Sequence, residues 1–548
     1  MQKRFLILTI IFILGMGSVF AAPVNTNPVI SVGLSDNSFQ RYYYSENSFY
    51  ATGKLTLTEK NTGRKVFEAE ADTPLRVVIK NNLFEIYDGK EKVAKDIQPP
   101  LVLSTENNGF LGVYGLKRAG KPALYRGKIE LVKPKNKENM FLTNNVLNLE
   151  TYLKGVVPNE MPVRFGLEAL KAQAVAARNY ALRPQEKKYH EFNVCDSVAC
   201  QVYFGANTES PFANLAVEQT RGIVARHNNE LILALYSSTA GGYTENYDDA
   251  FLPEKQGKHP YLKAVPDNKN TPCLDEEKEA KEFYSKDVKT YDNESPYFRW
   301  KREWTKKELE DVLRNNLNNA YKSGYCQPEL NNPEDFGVLK EIKVTKRGKS
   351  GKIISMLIVT DKEKYKVEKE LTIRRLFKNK GKTLPSANVV FEQEFDEDNN
   401  LLKITAIGGG YGHGVGMSQF GAGAMAKSGK SFDEILQHYY SDTELVLFPV
   451  ELNSEVEKNS AVYDFYLTKP KARLVVENKH SYLEMKVVIN GKEFNLKAQP
   501  SISRKYYVDI SQYLNLGDNK VYFFYPLDNN RGKKVNVYIE LYGIQNDR

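Results

Sequence analysis

Apolar and polar positions alternate over short spans through the first part of the chain, in VISVGL from Val29, KLTLTE from Lys54, LRVVIK from Leu75 and KIELVK from Lys128. Gly, Asn and Pro separate these runs, the pattern of β-strands joined by turns. The period then changes. Leu167, Leu170, Ala174, Ala177 and Ala181 recur at helical spacing and predict a helix with one buried stripe, built mostly of alanine. A stripe of small residues lets a neighbour approach closely, which would hold whatever precedes the helix against a rigid surface. Further on, KKELEDVLRNNLNNA from Lys306 reads as a helix. In SFDEILQHYYSDTEL, Ser431 is followed by Glu434, a capping-box pattern before an apolar-faced helix. Beyond Pro449 alternation returns, in YLEMKVVINGKEFNL, YYVDISQYLNLGDNKVYFFY and VNVYIELYG, with Asn490 and Gly491 marking a tight hairpin.

These elements predict an α+β chain of several domains, since 548 residues exceed one ordinary core. Residues 23–132 form a β-rich N-terminal domain and residues 133–449 a mixed core with a highly charged insertion at about 267–335. Residues 450–548 form a separate C-terminal β-sandwich, read as an accessory module or spacer. Residues 1–22 begin with Lys3 and Arg4, continue as an apolar run from Phe5 to Phe20 and offer small residues at Val19 and Ala21. That is the plan of a secretory signal, and the run falls short of the roughly 20 residues a spanning helix needs. The mature chain is expected to be soluble and extracytoplasmic, with no integral membrane segment after signal cleavage. A net charge of +9 is modest for this length. It fits a Lys-rich solvated exterior or attraction to anionic wall polymers, and no nucleic-acid motif accompanies it.

Two segments concentrate the candidate chemistry. In NVLNLETYLKGVVPNEMPVRFGLEALKAQAVAARNYAL, from Asn145, Glu160 stands between Pro158 and Pro162 just ahead of the small-residue helix. In GGGYGHGVGMSQFGAGAMAKSG, Gly408 to Gly429, closely spaced glycines surround His413 and Gln419, a composition suited to a backbone wrapped around a ligand. Together they resemble the two signature blocks of the stage II sporulation protein D family, which also contains amidase-enhancer proteins. The resemblance runs from about Asn145 to Ala250 and from Gly337 to Leu447. Tyr125, Arg126 and Gly127 resemble a further recurrent element of that family.

The resemblance implies a peptidoglycan lytic transglycosylase that cuts between N-acetylmuramic acid and N-acetylglucosamine, with Glu160 as its catalytic acid. In that reaction the muramic 6-hydroxyl attacks the anomeric carbon and leaves a 1,6-anhydro end, so one carboxyl group serves as acid and then as base. This suits the elbow, where Glu150 lies ten residues upstream and Glu168 on the helix. A helix N-terminus lowers a carboxyl pKa whereas desolvation by Val156, Val157, Met161 and Phe165 raises it, and desolvation is expected to win. Substrate contacts are expected from His413 to the sugar, Gln419 to an acetamido group, Tyr203 by stacking on a pyranose ring, and Thr244 and Glu245 along the SSTAGGYTE turn. The expected partners are glycan strands stripped of their peptides and a cell-wall amidase. A noncatalytic wall-binding amidase enhancer remains the alternative.

Four cysteines in an exported chain invite disulfides or a metal. His190, Cys195 and Cys200 supply three ligands for a structural zinc if water or another residue completes the set. Some members of the family carry zinc near this place. A local Cys195–Cys200 disulfide and two unpaired thiols stay open beside it. No cofactor is expected to be required for catalysis. A zinc hydrolase built on these three residues ranks last, because no catalytic Glu stands at metal-motif spacing. Cys273 and Cys326, if paired, would close a loop of about fifty residues and stabilise the fold by about 4 kcal/mol.

Overall fold

A computed structural model of the chain describes residues 24–25, 28–183, 190–251, 259–268, 270–286, 288–448, 450–453, 460–467, 471–478, 483–498, 505–525 and 534–541. The predicted signal, residues 1–22, lies outside them. No helix among the described residues is long and apolar enough to cross a membrane. The class is α+β with a strong β content.

The alternating runs at the start form two antiparallel-rich sheets that share one core. The first has the strand order Val194–Cys195, Val29–Gly33, Phe141–Asn148, Lys128–Val132, Leu101–Thr105, Leu55–Glu59 and Lys65–Ala69. The second runs Lys121–Tyr125, Leu111–Arg118, Glu46–Ala51, Leu75–Lys80, Leu83–Asp88 and Glu91–Ile97. Their inward residues, among them Leu55, Leu57, Leu75, Val77, Leu101 and Ile129, are fully buried. Alternation in the sequence is thus one face packed and one face wet.

The small-residue helix spans Leu167–Leu182. Its burial departs from the single stripe predicted: Lys171, Gln173, Arg178 and Asn179 are buried along with the alanines, and Leu167 only partly so. The helix is enclosed on several sides, by Leu149–Lys154, Pro211–Gln219, Gln419–Lys427, Phe432–Tyr439 and the strand Ile223–His227. Enclosed polar side chains need partners. Arg178 pairs with Glu150 through Nε at 2.8 Å and Nη2 at 2.6 Å and donates to the Ile223 carbonyl. Asn179 bonds both the N–H and the carbonyl of Ala225.

The charged segment after Asp267 packs with the strands that follow it. Its helix, Lys306–Lys322, opens with a capping box of Thr305 and Glu308 and shares a second hydrophobic core with strands up to Ala406. Its loop reaches into the molecule: Asp292 is fully buried and accepts the Gly241 N–H at 2.7 Å and the Thr290 hydroxyl at 3.0 Å. Cys273 is exposed and Cys326 is buried in a strand, and the two are not joined.

The C-terminal strands fall in two sheets, one of them containing Ser460–Leu467, Gly517–Phe524, Leu483–Ile489 and Lys492–Ala498. The hairpin at Asn490 and Gly491 has positive φ at both residues, 49° and 84°, as its Asn-Gly sequence requires. The second sheet is continuous with the core, in the order Ile223–His227, Glu444–Leu447, Lys534–Leu541, Ala472–Asn478 and Lys505–Asp509. The C-terminal strands are therefore joined to the core by strand pairing, Val446 opposite Glu540. The buried Arg226 guanidinium lies 3.8 Å from the Tyr538 ring at that junction.

Arg178→Met should lower the unfolding free energy by about 3–5 kcal/mol in chemical denaturation, because it leaves the buried Glu150 carboxylate without its partner. A loss below 1 kcal/mol would show that the pair does not hold the helix.

Candidate active site

The helix Leu149–Lys154 stops at Gly155, and a single turn, Val157–Glu160, follows with Pro158 in its first positions. Met161 then leaves in extended conformation, φ −127° and ψ 126°. Proline favours the start of a turn and disfavours helix before it, so Pro158 and Pro162 bracket an elbow whose last helical residue is Glu160. The long helix begins only at Leu167, after Gly166 at φ 96°. Glu160 is therefore at the end of a short turn, not at the N-terminus of the long helix.

Its carboxyl is held from the other side of the fold. Glu160 Oε1 accepts the Val202 N–H at 2.6 Å. Val156, Val157 and Met161 around it are fully buried. Burial pushes the Glu160 carboxyl from 4.5 up to about 7, against the opposing pull of the Val202 N–H and the Gln419 amide. No charged side chain among the described residues contributes to that shift. Three phenols, Tyr152, Tyr180 and Tyr236, stand close enough that a charge on Glu160 raises their own pKa. The neighbouring acids are occupied: Glu150 by Arg178, and Glu168 by Lys171 Nζ at 2.6 Å and the Phe432 N–H at 2.8 Å. The arrangement is one partly desolvated carboxyl group that carries a proton near neutral pH.

The segment that supplies the Val202 N–H is pinned residue by residue. Asp196 pairs with Arg118 Nη2 at 2.5 Å and accepts the Ser35 hydroxyl at 2.7 Å. Gln201 accepts the Tyr152 hydroxyl at 3.1 Å and donates to Tyr236 Oη at 2.9 Å. Tyr203 donates to Asn145 Oδ1 at 2.6 Å. The backbone N–H of Phe204 reaches the Gly155 carbonyl.

Several expected substrate contacts are used inside the protein instead. Tyr203 is 1% exposed, with Tyr125 and Tyr152 on its ring, so no face is open to a sugar. Thr244 is buried and bonded to the backbone of Val265. Glu245 is buried, its Oε2 taking the Ser350 hydroxyl at 2.6 Å and its Oε1 the Asn246 N–H at 2.8 Å. Both side chains are engaged by neighbouring segments of the fold. Gln419 is 7% exposed and donates to the Glu160 carbonyl at 2.8 Å and to Gln173 Oε1 at 3.2 Å. It ties the elbow to the enclosed helix. His413 is partly exposed beside Phe251, with ring centroids 5.5 Å apart. Its Nδ1 accepts the Val415 N–H at 3.1 Å, and burial followed by the Lys352 and Arg374 charges lowers its pKa to about 3. His413 is thus a neutral ring near neutral pH.

Three glycines of the second block, Gly410, Gly412 and Gly416, let this segment lie directly on Leu235, Ser237, Thr239 and Ala240. A Cβ on Gly416 would overlap the Leu235 carbonyl, and one on Gly423 would come within 2.7 Å of the Phe165 ring, which stacks edge-on to Phe420.

The zinc expectation is not matched by the residues present. Among the described residues no group of three or more His, Cys, Asp or Glu side chains is arranged to hold a metal ion. His190 is exposed, and the Cys195 and Cys200 sulfurs lie 2.7 Å apart. Two thiolates on one tetrahedral zinc, each at about 2.3 Å, stand about 3.8 Å from one another.

The Val202 N–H, Gln173 and the three phenols were missed by reading the sequence. A backbone donor leaves no side-chain signal, and Gln173 is a polar residue flanking the predicted stripe.

Comparison with known proteins bears on both blocks. The Stage II sporulation protein family model matches residues 137–227, and a domain of unknown function (DUF8618) matches residues 246–416. The amidase enhancer of Bacillus subtilis (strain 168) is 34% identical over 307 residues, which are 54% of this chain and 40% of that protein. The chain thus spans less than half of that relative. Stage II sporulation protein D of the same organism is 28% identical over 57% of this chain and 78% of its own length. An uncharacterized protein of Brachyspira hyodysenteriae (strain ATCC 49526 / WA1) is 30% identical over 57% of this chain and 70% of its own. The Glu160 elbow lies inside the matched family region, and the chain belongs to the stage II sporulation protein D family.

Proposed function

We propose that this chain is an extracytoplasmic lytic transglycosylase that cleaves peptidoglycan glycan strands between N-acetylmuramic acid and N-acetylglucosamine. The observation that carries the reading is the single carboxyl of Glu160, raised to about 7 by burial with no charged partner. A general acid must hold its proton at working pH, and a carboxyl raised to about 7 keeps a large protonated fraction near neutrality. A glycosidase using two carboxylates needs a second acid roughly 5–9.5 Å away. The two acids nearest in sequence, Glu150 and Glu168, are bound to Arg178 and Lys171. Intramolecular attack by the muramic 6-hydroxyl removes that need. Glu160 first gives its proton to the glycosidic oxygen; as the carboxylate, held by the Val202 N–H, it then takes the 6-hydroxyl proton while the 1,6-anhydro bond closes. Every proton is returned, and no water or metal is consumed.

Peptide-stripped strands are the proposed substrate, and a cell-wall amidase the proposed partner that produces them. The relative named as an amidase enhancer favours a second reading, in which the chain binds wall and stimulates such an amidase without cleaving glycan. A buried carboxyl tuned to titrate near neutrality costs stability that a binding module has no use for, and this favours the enzyme.

Four outcomes check the proposal. Wild type should release fragments ending in 1,6-anhydro-muramic acid, detected by mass spectrometry, and Glu160→Gln should release none while folding normally; reducing ends from wild type would mean hydrolysis. Activity should fall as pH rises through about 7, where Glu160 loses its proton. Stability follows the same group. Below pH 4.5 folded and unfolded carboxyls are both protonated, between 4.5 and about 7 the unfolded one ionises first, and above 7 the full cost is present. Glu160→Gln should therefore be more stable than wild type by up to about 3 kcal/mol at pH 8, and no more stable at pH 4. Rates on amidase-treated sacculi should exceed those on intact sacculi; equal rates would remove the substrate preference.

A further inference from the structure

The turn from Cys195 to Cys200 lies between two fixed points. At its start Asp196, next to Cys195, is locked to Arg118 and Ser35, and just beyond its end Val202 delivers its N–H to Glu160. Within it, the Cys200 N–H bonds the Ser197 carbonyl at 3.0 Å and the Cys195 N–H points at Cys200 Sγ at 3.1 Å. The chain is thereby folded so that the two sulfurs meet at 2.7 Å, inside any separation that a shared zinc would allow. Both cysteines also lie within electrostatic reach of Tyr180, and Cys200 of Tyr152, two of the phenols around the acid.

We propose that Cys195 and Cys200 are joined by a disulfide in the exported protein, in place of a zinc site, and that this bond fixes the turn that aims the Val202 N–H at Glu160. The second half rests on the reading of Glu160 as the acid. Cys195 is fully buried whereas Cys200 is partly exposed, which sets the order of bond formation. The Cys200 thiolate attacks a small-molecule or protein disulfide, giving a mixed disulfide and one released thiol. Cys195, having lost its proton, attacks the Cys200 sulfur and expels the second thiol. One disulfide is reduced to two thiols as two cysteines are oxidised to one disulfide. An extracytoplasmic compartment supplies such an oxidant. Closing this short loop covalently holds Gln201 and Val202 at the length where they engage Tyr152, Tyr236 and the acid.

The test uses the full exported chain, purified without reductant. Alkylation in denaturant followed by peptide mass spectrometry should leave Cys195 and Cys200 unmodified until reduction, whereas Cys273 and Cys326 react without it. Elemental analysis should find no stoichiometric zinc. Alkylation of Cys195 and Cys200 before reduction, or one zinc per chain that Cys200→Ser loses, would overturn the assignment. Reduction of the native protein, and the double variant Cys195→Ala with Cys200→Ala, should each lower Tm and cut transglycosylase activity by about ten- to a hundredfold. Because the N–H favours the ionised carboxyl, a loosened donor should also move the alkaline limb of the pH–rate profile to higher pH. A lost bond that leaves the limb and the rate where they were would overturn the positioning role. A wild type that carries the disulfide but cleaves no glycan would remove the transglycosylase reading and leave the disulfide assignment standing.

Discussion

One hydrogen bond joins the two halves of the site: the Gln419 amide donates to the backbone carbonyl of Glu160, 259 residues away in the chain. Beside it, Phe165 after the elbow packs on Phe420 and Gly423 of the glycine-rich block, so the bond sits within a packed seam. The same amide touches Gln173 on the enclosed helix, so three segments converge on one nitrogen. Much of the local architecture follows from letting them approach. The glycine at 423 admits Phe165, the helix beneath is built of alanine, and the polar groups trapped by the close packing are satisfied in pairs such as Glu150 with Arg178.

The charge state of Glu160 results from a contest of two effects with different ranges. The dipole of a helix acts within its first turn and is worth about 0.3–1 kcal/mol at an exposed end. The long helix starts too far along the chain to apply it, and desolvation acts on the carboxyl directly. A rise from 4.5 to about 7 corresponds to about 3 kcal/mol, several times the dipole term. Val202 opposes this with a single N–H, which keeps the carboxylate form accessible once the proton has gone.

The sequence was most informative where one residue type has one physical use. Pro158 and Pro162 bracket the elbow as they must, Ser431 and Glu434 form the capping box, and Asn490 with Gly491 takes the left-handed turn. Thr305 and Glu308 form a second capping box from the same pattern, which was there to be read. Legibility ended where residues serve alternative ends. The glycines of the second block fit either a ligand or a neighbouring backbone, and packing against residues 235–245 was indistinguishable in composition from packing on a sugar. Tyr203, Thr244, Glu245 and Gln419 are polar, and polar residues near a site invite a substrate role. Their partners, Asn145, Val265, Ser350 and Gln173, are distant in sequence except for Val265, so nothing local revealed that they were already engaged.

The pairing of Glu444–Leu447 with Lys534–Leu541 has a consequence for solubility. A strand at the rim of a sheet offers a row of open N–H and C=O groups to any other strand that arrives, including one from another copy of the chain. Ile223–His227 and Glu444–Leu447 would present such a rim if the chain ended at Leu447, with the apolar Val446 directly on it. The C-terminal strands cover it from within the same molecule. A core cut free of that region would trade a folded neighbour for an adhesive edge.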